Sequence, residues 1–142
     1  MDWIVNDLRQ TTTASITNNL PLNPSKNIKF QKVIEYSVKA GVPSPDFGNF
    51  IEYTYNPDSK TITRTDPGKS PGSWVFNNIA NLDQPIFKTR QLDGNIEPLI
   101  PGSLIGEGNL VIELIGKKEV KLPLTTVNVA YILQEEVCIR RN

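Results

Sequence analysis

Apolar and polar positions alternate with a period of two over much of this chain, and the clearest run lies between Phe50 and Thr65. There Ile51, Tyr53 and Tyr55 share one face, and Phe50, Glu52 and Thr54 share the other. Asn56-Pro57-Asp58-Ser59 is dense in turn formers, and Thr61-Ile62-Thr63 resumes strand chemistry. The pattern predicts a β-hairpin over 50–65, closed by a type I turn with Pro57 at its second position. Tyrosine can bury its ring and keep its hydroxyl wet, so the Ile51 face is expected to look inward.

Elsewhere the period changes. Ile4, Leu8, Thr12, Ile16 and Leu20 recur every four residues behind a capping Asp2, which predicts one helix over 2–19, ended by Pro21 and Pro24. Thr11-Thr12-Thr13 lowers its intrinsic propensity, so it is expected to lean on a sheet. Ile28 to Ser37 alternates as a strand, and 41–48 reads as a loop. Asp66 to Gly72 reads as a second loop, followed by a short helix capped by Ser73 and carrying Trp74, Val75, Ile79 and Leu82.

A strand over 86–91 is expected to turn at Asp93-Gly94, and 96–108 to be irregular. Leu110 to Ile115 is a continuous apolar strand, with Gly116-Lys117-Lys118 as its turn. Val120, Leu122 and Leu124 alternate on the return, where Pro123 demands an edge or a break. Val127, Val129, Tyr131 and Leu133 alternate again, before Val137-Cys138-Ile139.

Composition narrows the function. The 142 residues are the length of one ordinary domain, and 38% hydrophobic against 21% charged residues is a folding composition. Fifteen basic and fifteen acidic residues cancel, which leaves no field to gather phosphates and gives nucleic acid no reason to bind. The chain has no histidine, so Ser-His-Asp and Cys-His nucleophiles, imidazole acid/base chemistry and His-ligated zinc are excluded within it. The single cysteine, Cys138, excludes an internal disulfide and reads as a buried strand residue.

The remaining chemical signals are each better read as structure. Glu135-Glu136 would face opposite ways on a strand, and it reads as a solvated turn. Asp93, Asn95 and Glu97 occupy alternate loop positions, an arrangement that collects oxygen ligands around calcium, yet the full EF-hand pattern is missing. Gly102, Gly106 and Gly108 read as loop glycines, because no Gly-Lys-Ser/Thr completes a phosphate cradle. Lys117-Lys118 and Arg140-Arg141, with Tyr53, Tyr55 and Tyr131 for stacking, would be the groups to hold a single strand of nucleic acid, against the neutral balance of the chain. Trp3, near the start, marks either a contact surface or membrane interface, or else the packing of its helix on the sheet.

Several of these segments together carry a family resemblance. Asp7-Leu8-Arg9 lies on the first helix, and Ile34-Glu35-Tyr36 ends a strand. Ile51-Glu52-Tyr53 is followed after its turn by Ile62-Thr63-Arg64, and the short helix around Trp74 to Leu82, a strand leading into Leu92-Asp93-Gly94, the Leu110–Ile115 strand and the ending Arg141-Asn142 come after. In this order, over nearly the whole chain, the sequence resembles the globular part of a minor pilin or minor pseudopilin of type IV pilus or type II secretion systems. The resemblance implies a single pilin-like α+β domain over 1–142, in which helix 2–19 packs across an antiparallel, sheet-rich body over 28–142.

It also implies an upstream leader, a processing site and an apolar membrane helix. Nothing before Trp3 corresponds to these, so Met1-Asp2 is expected to be an artificial start. The expected function is a non-catalytic subunit without a cofactor that initiates or caps a filament. It would sit at the cell envelope, with its globular domain periplasmic or extracellular and the full-length form anchored in the inner membrane. Its partners would be other pilin or pseudopilin subunits, met through Trp3, Ile4, Val5 and Leu8. The rival expectation is a free-standing domain that holds a small ligand or peptide between sheet and loops, with Trp74, Tyr53 and Phe87 as walls.

Overall fold

The 50–65 hairpin forms as its pattern predicts, and sheets are built outward from it. The computed structural model describes residues 1–102 and 109–141. Strand β2 (Val42–Asn56) pairs antiparallel with β3 (Thr61–Thr65), and Ile51, Tyr53 and Tyr55 are buried. The Asn56 side chain accepts hydrogen bonds from the Asp58 and Ser59 amides at 2.9 and 3.2 Å, which shapes the turn. Strand β1 (Asn27–Lys39) flanks β2, and β4 (Ser73–Phe76) flanks β3, giving a first sheet in the order β1-β2-β3-β4.

A second four-stranded sheet, in the order β6-β5-β7-β8, contains β5 (Phe87–Arg90), β6 (Ile96–Pro98), β7 (Asn109–Lys121) and β8 (Thr126–Cys138). The turn expected at Asp93-Gly94 joins β5 to β6, with Gly94 at φ +89°, a conformation that costs glycine little. Both sheets contribute to one core: Ile28, Phe30, Tyr53 and Ile62 from the first meet Phe87, Leu110 and Ile112 from the second.

The α+β expectation with one long amphipathic helix is corrected. The described residues are mostly antiparallel sheet, 54% strand against 10% helix. In place of helix 2–19 stand two short helices, α1 (Asp2–Leu8) and α2 (Thr13–Asn18). The break falls where the threonine run weakens helix propensity and where strands compete for the backbone. Val33 donates to the Gln10 carbonyl at 2.7 Å, and the Thr13 amide donates to the Arg140 carbonyl at 2.9 Å. Thr12 is extended, at φ −120° and ψ 158°, and its hydroxyl accepts from the Ser15 amide at 3.2 Å, the geometry of an N-cap.

Further corrections concern segments that the sheets extend. Residues 42–48, expected as a loop, are the first half of β2. Pro43 and Pro45 are tolerated there because this stretch runs beyond β3, so a missing amide donor leaves no ladder bond unmade. The expected helix after Ser73 is instead β4, where Trp74 lies opposite Arg64 and Phe76 opposite Ile62. Gly116-Lys117-Lys118 is not a turn: β7 runs through it to Lys121. Gly116 lies opposite Tyr131, whose ring fills the space that a Cβ at 116 would need. The chain reverses at 122–125, where Pro123 sits, with Leu122 donating to the Thr125 carbonyl at 2.8 Å.

Candidate functional site

Two surfaces carry chemistry that the core does not consume. The first is a cleft between α1 and β4. Trp3 and Asp7 are one helical turn apart, so ring and carboxylate leave α1 on the same side. Beneath them Tyr53 and Arg64 are paired across β2 and β3. Arg64 donates through Nε to Asp7 Oδ2 at 2.6 Å and through Nη2 to Asp7 Oδ1 at 3.3 Å and to Asp66 Oδ2 at 3.1 Å. The Tyr53 hydroxyl and the Lys32 ammonium also reach Asp7.

Burial pushes the Asp7 carboxyl up, but the hydrogen bonds from Arg64, Lys32 and Tyr53 outweigh it and hold Asp7 below its ordinary range. Burial, with the Asp7 charge beside it, drives the Tyr53 hydroxyl well above its usual value. Arg64 is raised in turn: burial opposes its charge, and the Asp7 bond and field overcome that. The cluster is a closed charge network whose shifts hold Asp7 ionised, Tyr53 neutral and Arg64 charged at neutral pH.

Above this floor the cleft measures about 350 Å³. Trp3, Trp74 and Phe76 form aromatic walls, and Asn6 and Lys69 bring polar groups to it. Trp3 stacks on Phe76 with centroids 3.7 Å apart and planes 2° from parallel, and Arg64 lies over the Trp74 ring at 5.0 Å.

The second surface is the outer strand of the second sheet. Among the described residues β8 pairs as a strand only with β7, and of its thirteen residues only Val137 is buried. On one face Val127, Val129, Tyr131 and Leu133 are 42%, 48%, 46% and 47% exposed. Beyond Gly116, where the bridge to Ile79 ends, β7 and β8 continue to Lys121 and Thr126 as a two-stranded arm. The apolar face runs into a groove of about 190 Å³ between Trp3, Phe76, Ile79, Leu114, Tyr131 and Leu133. β1 and β2 form a similar arm, with Tyr36 and Val38 opposite Pro45 and Pro43 on one face.

The contact residues expected from sequence divide. Ile4, Val5 and Leu8 are buried in the protein's own core, so they present nothing to a partner; Trp3 alone keeps exposed surface, and it lines both cleft and groove. Of the expected ligand walls, Trp74 lines the cleft, Tyr53 is buried beneath it, and Phe87 is buried in the core with the second sheet. Tyr55 is also buried and hydrogen-bonds the Ile79 carbonyl at 3.1 Å, which leaves Tyr131 as the exposed ring of the three expected to stack.

Asp93 accepts from the Asn95 amide and side chain, both at 2.9 Å, as a turn, with Glu97 on β6. Among the described residues no group of three or more acidic or thiol side chains gathers to hold a metal ion. Glu135 and Glu136 lie on β8 rather than in a turn, and Glu136 binds Arg90 through two bonds at 2.8 and 2.7 Å. Cys138, expected buried, is exposed: it alternates outward between Val137 and Ile139. Gly102 sits in a turn at φ +80°, and Gly106 and Gly108 lie outside the described residues.

Sequence reasoning missed the network itself. Asp7 and Arg64 stood only as parts of a helix and a hairpin, and no local pattern links positions 57 apart. Among the described residues no helix is long and apolar enough to cross a membrane. No protein-family model, curated protein or solved structure matches the chain.

Proposed function

We propose that this protein is a non-catalytic assembly subunit that joins other subunits of a type IV pilus or type II secretion filament at the cell envelope. The observation that carries the assembly role is β8: a sheet edge thirteen residues long, with no Lys, Pro or Gly, and with an apolar face left open to solvent. Edge strands normally carry such gatekeepers, because their unpaired backbone groups invite a further strand. An unguarded edge is the expected form of a surface meant to be covered. The filament assignment is supported by the sequence resemblance.

The chemistry of the occupant follows from the arm. Lys117, Lys118 and Lys121 against Glu119 leave it an excess of two positive charges, so the partner is an apolar β-ribbon with an acidic bias. The β1–β2 arm of a sibling subunit has this character: Tyr36 and Val38 are 51% and 73% exposed, and on its other face Glu35 and Asp46 against Lys39, which pairs with Asp46, leave one negative charge. One arm docking on the other arm of the next subunit is a heterologous contact, and such contacts propagate into rings or open filaments.

Sedimentation velocity tests this with the chain itself as the sibling. At high micromolar concentration the wild type is expected to form oligomers, while Tyr131→Lys and Val38→Lys are each monomeric. Mixing the two variants is expected to restore a dimer, since each keeps one intact arm. A monomeric wild type, or a mixture that stays monomeric, overturns the arm-to-arm reading.

A further inference from the structure

We propose that the cleft between α1 and β4 binds a sugar ring that carries one carboxylate, the chemistry of a uronic acid unit in an acidic polysaccharide. This stands apart from the assembly reading and does not rest on it. The cleft volume of about 350 Å³ falls at the small end of the roughly 300–1,000 Å³ typical of small-molecule sites, room for one or two rings.

Charge selects a monoanion. Lys32, Arg64 and Lys69 supply three positive charges around the cleft, and Asp7 and Asp66 supply two negative ones. The internal pairs consume Lys32 and Arg64; among the described residues Lys69 makes no ion pair. One cation at an open cleft therefore remains for one anionic group.

The walls select a ring with an apolar face and polar edges. Trp3 is already stacked on Phe76, so no slot between those two rings admits another flat aromatic. Half-buried Trp74, held by Arg64, offers indole surface of the kind on which the C–H face of a pyranose packs. The Asn6 amide can donate to and accept from hydroxyl groups around the ring. A nucleotide, with two or more charges, exceeds the single uncompensated cation.

The protein carries its own reporter, because Trp3 and Trp74 are its only two tryptophans and both line this cleft. Titration of the full chain with methyl galactopyranosiduronate, a single ring with one carboxylate, is expected to give a saturable change in tryptophan fluorescence. Its methyl ester, which lacks the charge, is expected to bind at least about tenfold more weakly, or about 1.4 kcal/mol. Lys69→Glu, in an exposed loop, is expected to weaken binding by a similar factor without shifting the melting temperature. Equal response to acid and ester, no effect of Lys69→Glu, or no saturable change overturns the proposal. So does tighter binding of N-acetylphenylalanine, which would make the ligand a peptide terminus, or of inorganic phosphate, which would make the ring irrelevant. Self-association in sedimentation is a separate readout, so failure here leaves the assembly reading untouched.

Discussion

Arg64 grips Asp7 across 57 positions of sequence, with Nε 2.6 Å from one carboxylate oxygen and Nη2 3.3 Å from the other. This fork ties α1 to the first sheet, and it is the main polar contact between them. Removing one member of a buried ion pair leaves its partner uncompensated, at a cost of roughly 3–5 kcal/mol. Asp7→Asn is expected near the lower bound, about 3 kcal/mol, because Arg64 keeps Asp66. Urea unfolding of the variant checks this. Arg64→Lys should rescue little, since an ammonium cannot span both oxygens and Asp66 at once.

The same pair sets a pH dependence. The Asp7 carboxyl titrates below its ordinary 3.8 in the folded protein, so on acidification the unfolded chain takes the proton first. Its stabilising contribution is present above pH 3.8 and is lost as pH falls through the lower folded value. At the alkaline side Tyr53 is raised above 10.0, so its contribution is complete below that pH and lost above it. Melting temperatures across pH should therefore fall at both extremes. Asp7→Asn should flatten the acid limb.

Thr12 caps α2 and marks the break between the helices, and its hydroxyl holds the Ser15 amide. Thr12→Ala is expected to cost about 1 kcal/mol, while Thr12→Ser, which keeps the oxygen, should recover most of it. Thermal denaturation of the two variants distinguishes loss of the cap from loss of the buried methyl group.

Gly116 lies under the Tyr131 ring, and a Cβ placed there would overlap it. Because the obstacle is the far end of a half-exposed side chain, Gly116→Ala should displace the ring at a cost of about 1 kcal/mol rather than break the strand. In Gly116→Ala/Tyr131→Ala the penalty should vanish, giving a coupling energy of similar size in a double-mutant cycle.

Cys138 points outward on β8 and should react with a maleimide in the folded protein at a rate close to that of an exposed thiol. Reaction only after unfolding would mean that the strand has the opposite register, since a slip of one residue exchanges the faces. Modification should block oligomer formation only if the covered edge extends to the C-terminal end of β8.

Local chemistry by itself determined the parts whose partners are near in sequence. The alternation around Ile51, Tyr53 and Tyr55 named the buried face, and Asp93-Gly94 placed a tight turn, because a two-residue period and a turn need only a few neighbours. The period-four run over residues 2–19 was real in Ile4, Leu8 and Ile16, all buried. Only the tertiary structure decided that the run breaks, since the Val33 amide of β1 and the Arg140 carbonyl just past β8 take the backbone groups of Gln10 and Thr13. It also decided that Trp74 extends a sheet, and that Gly116 lies inside a strand, because open strand edges and a facing tyrosine come from distant segments. The Asp7–Arg64 fork belongs to the same class. A carboxylate and a guanidinium state their charge in sequence, but which of fifteen counter-charges each meets is settled only when the sheets close around them.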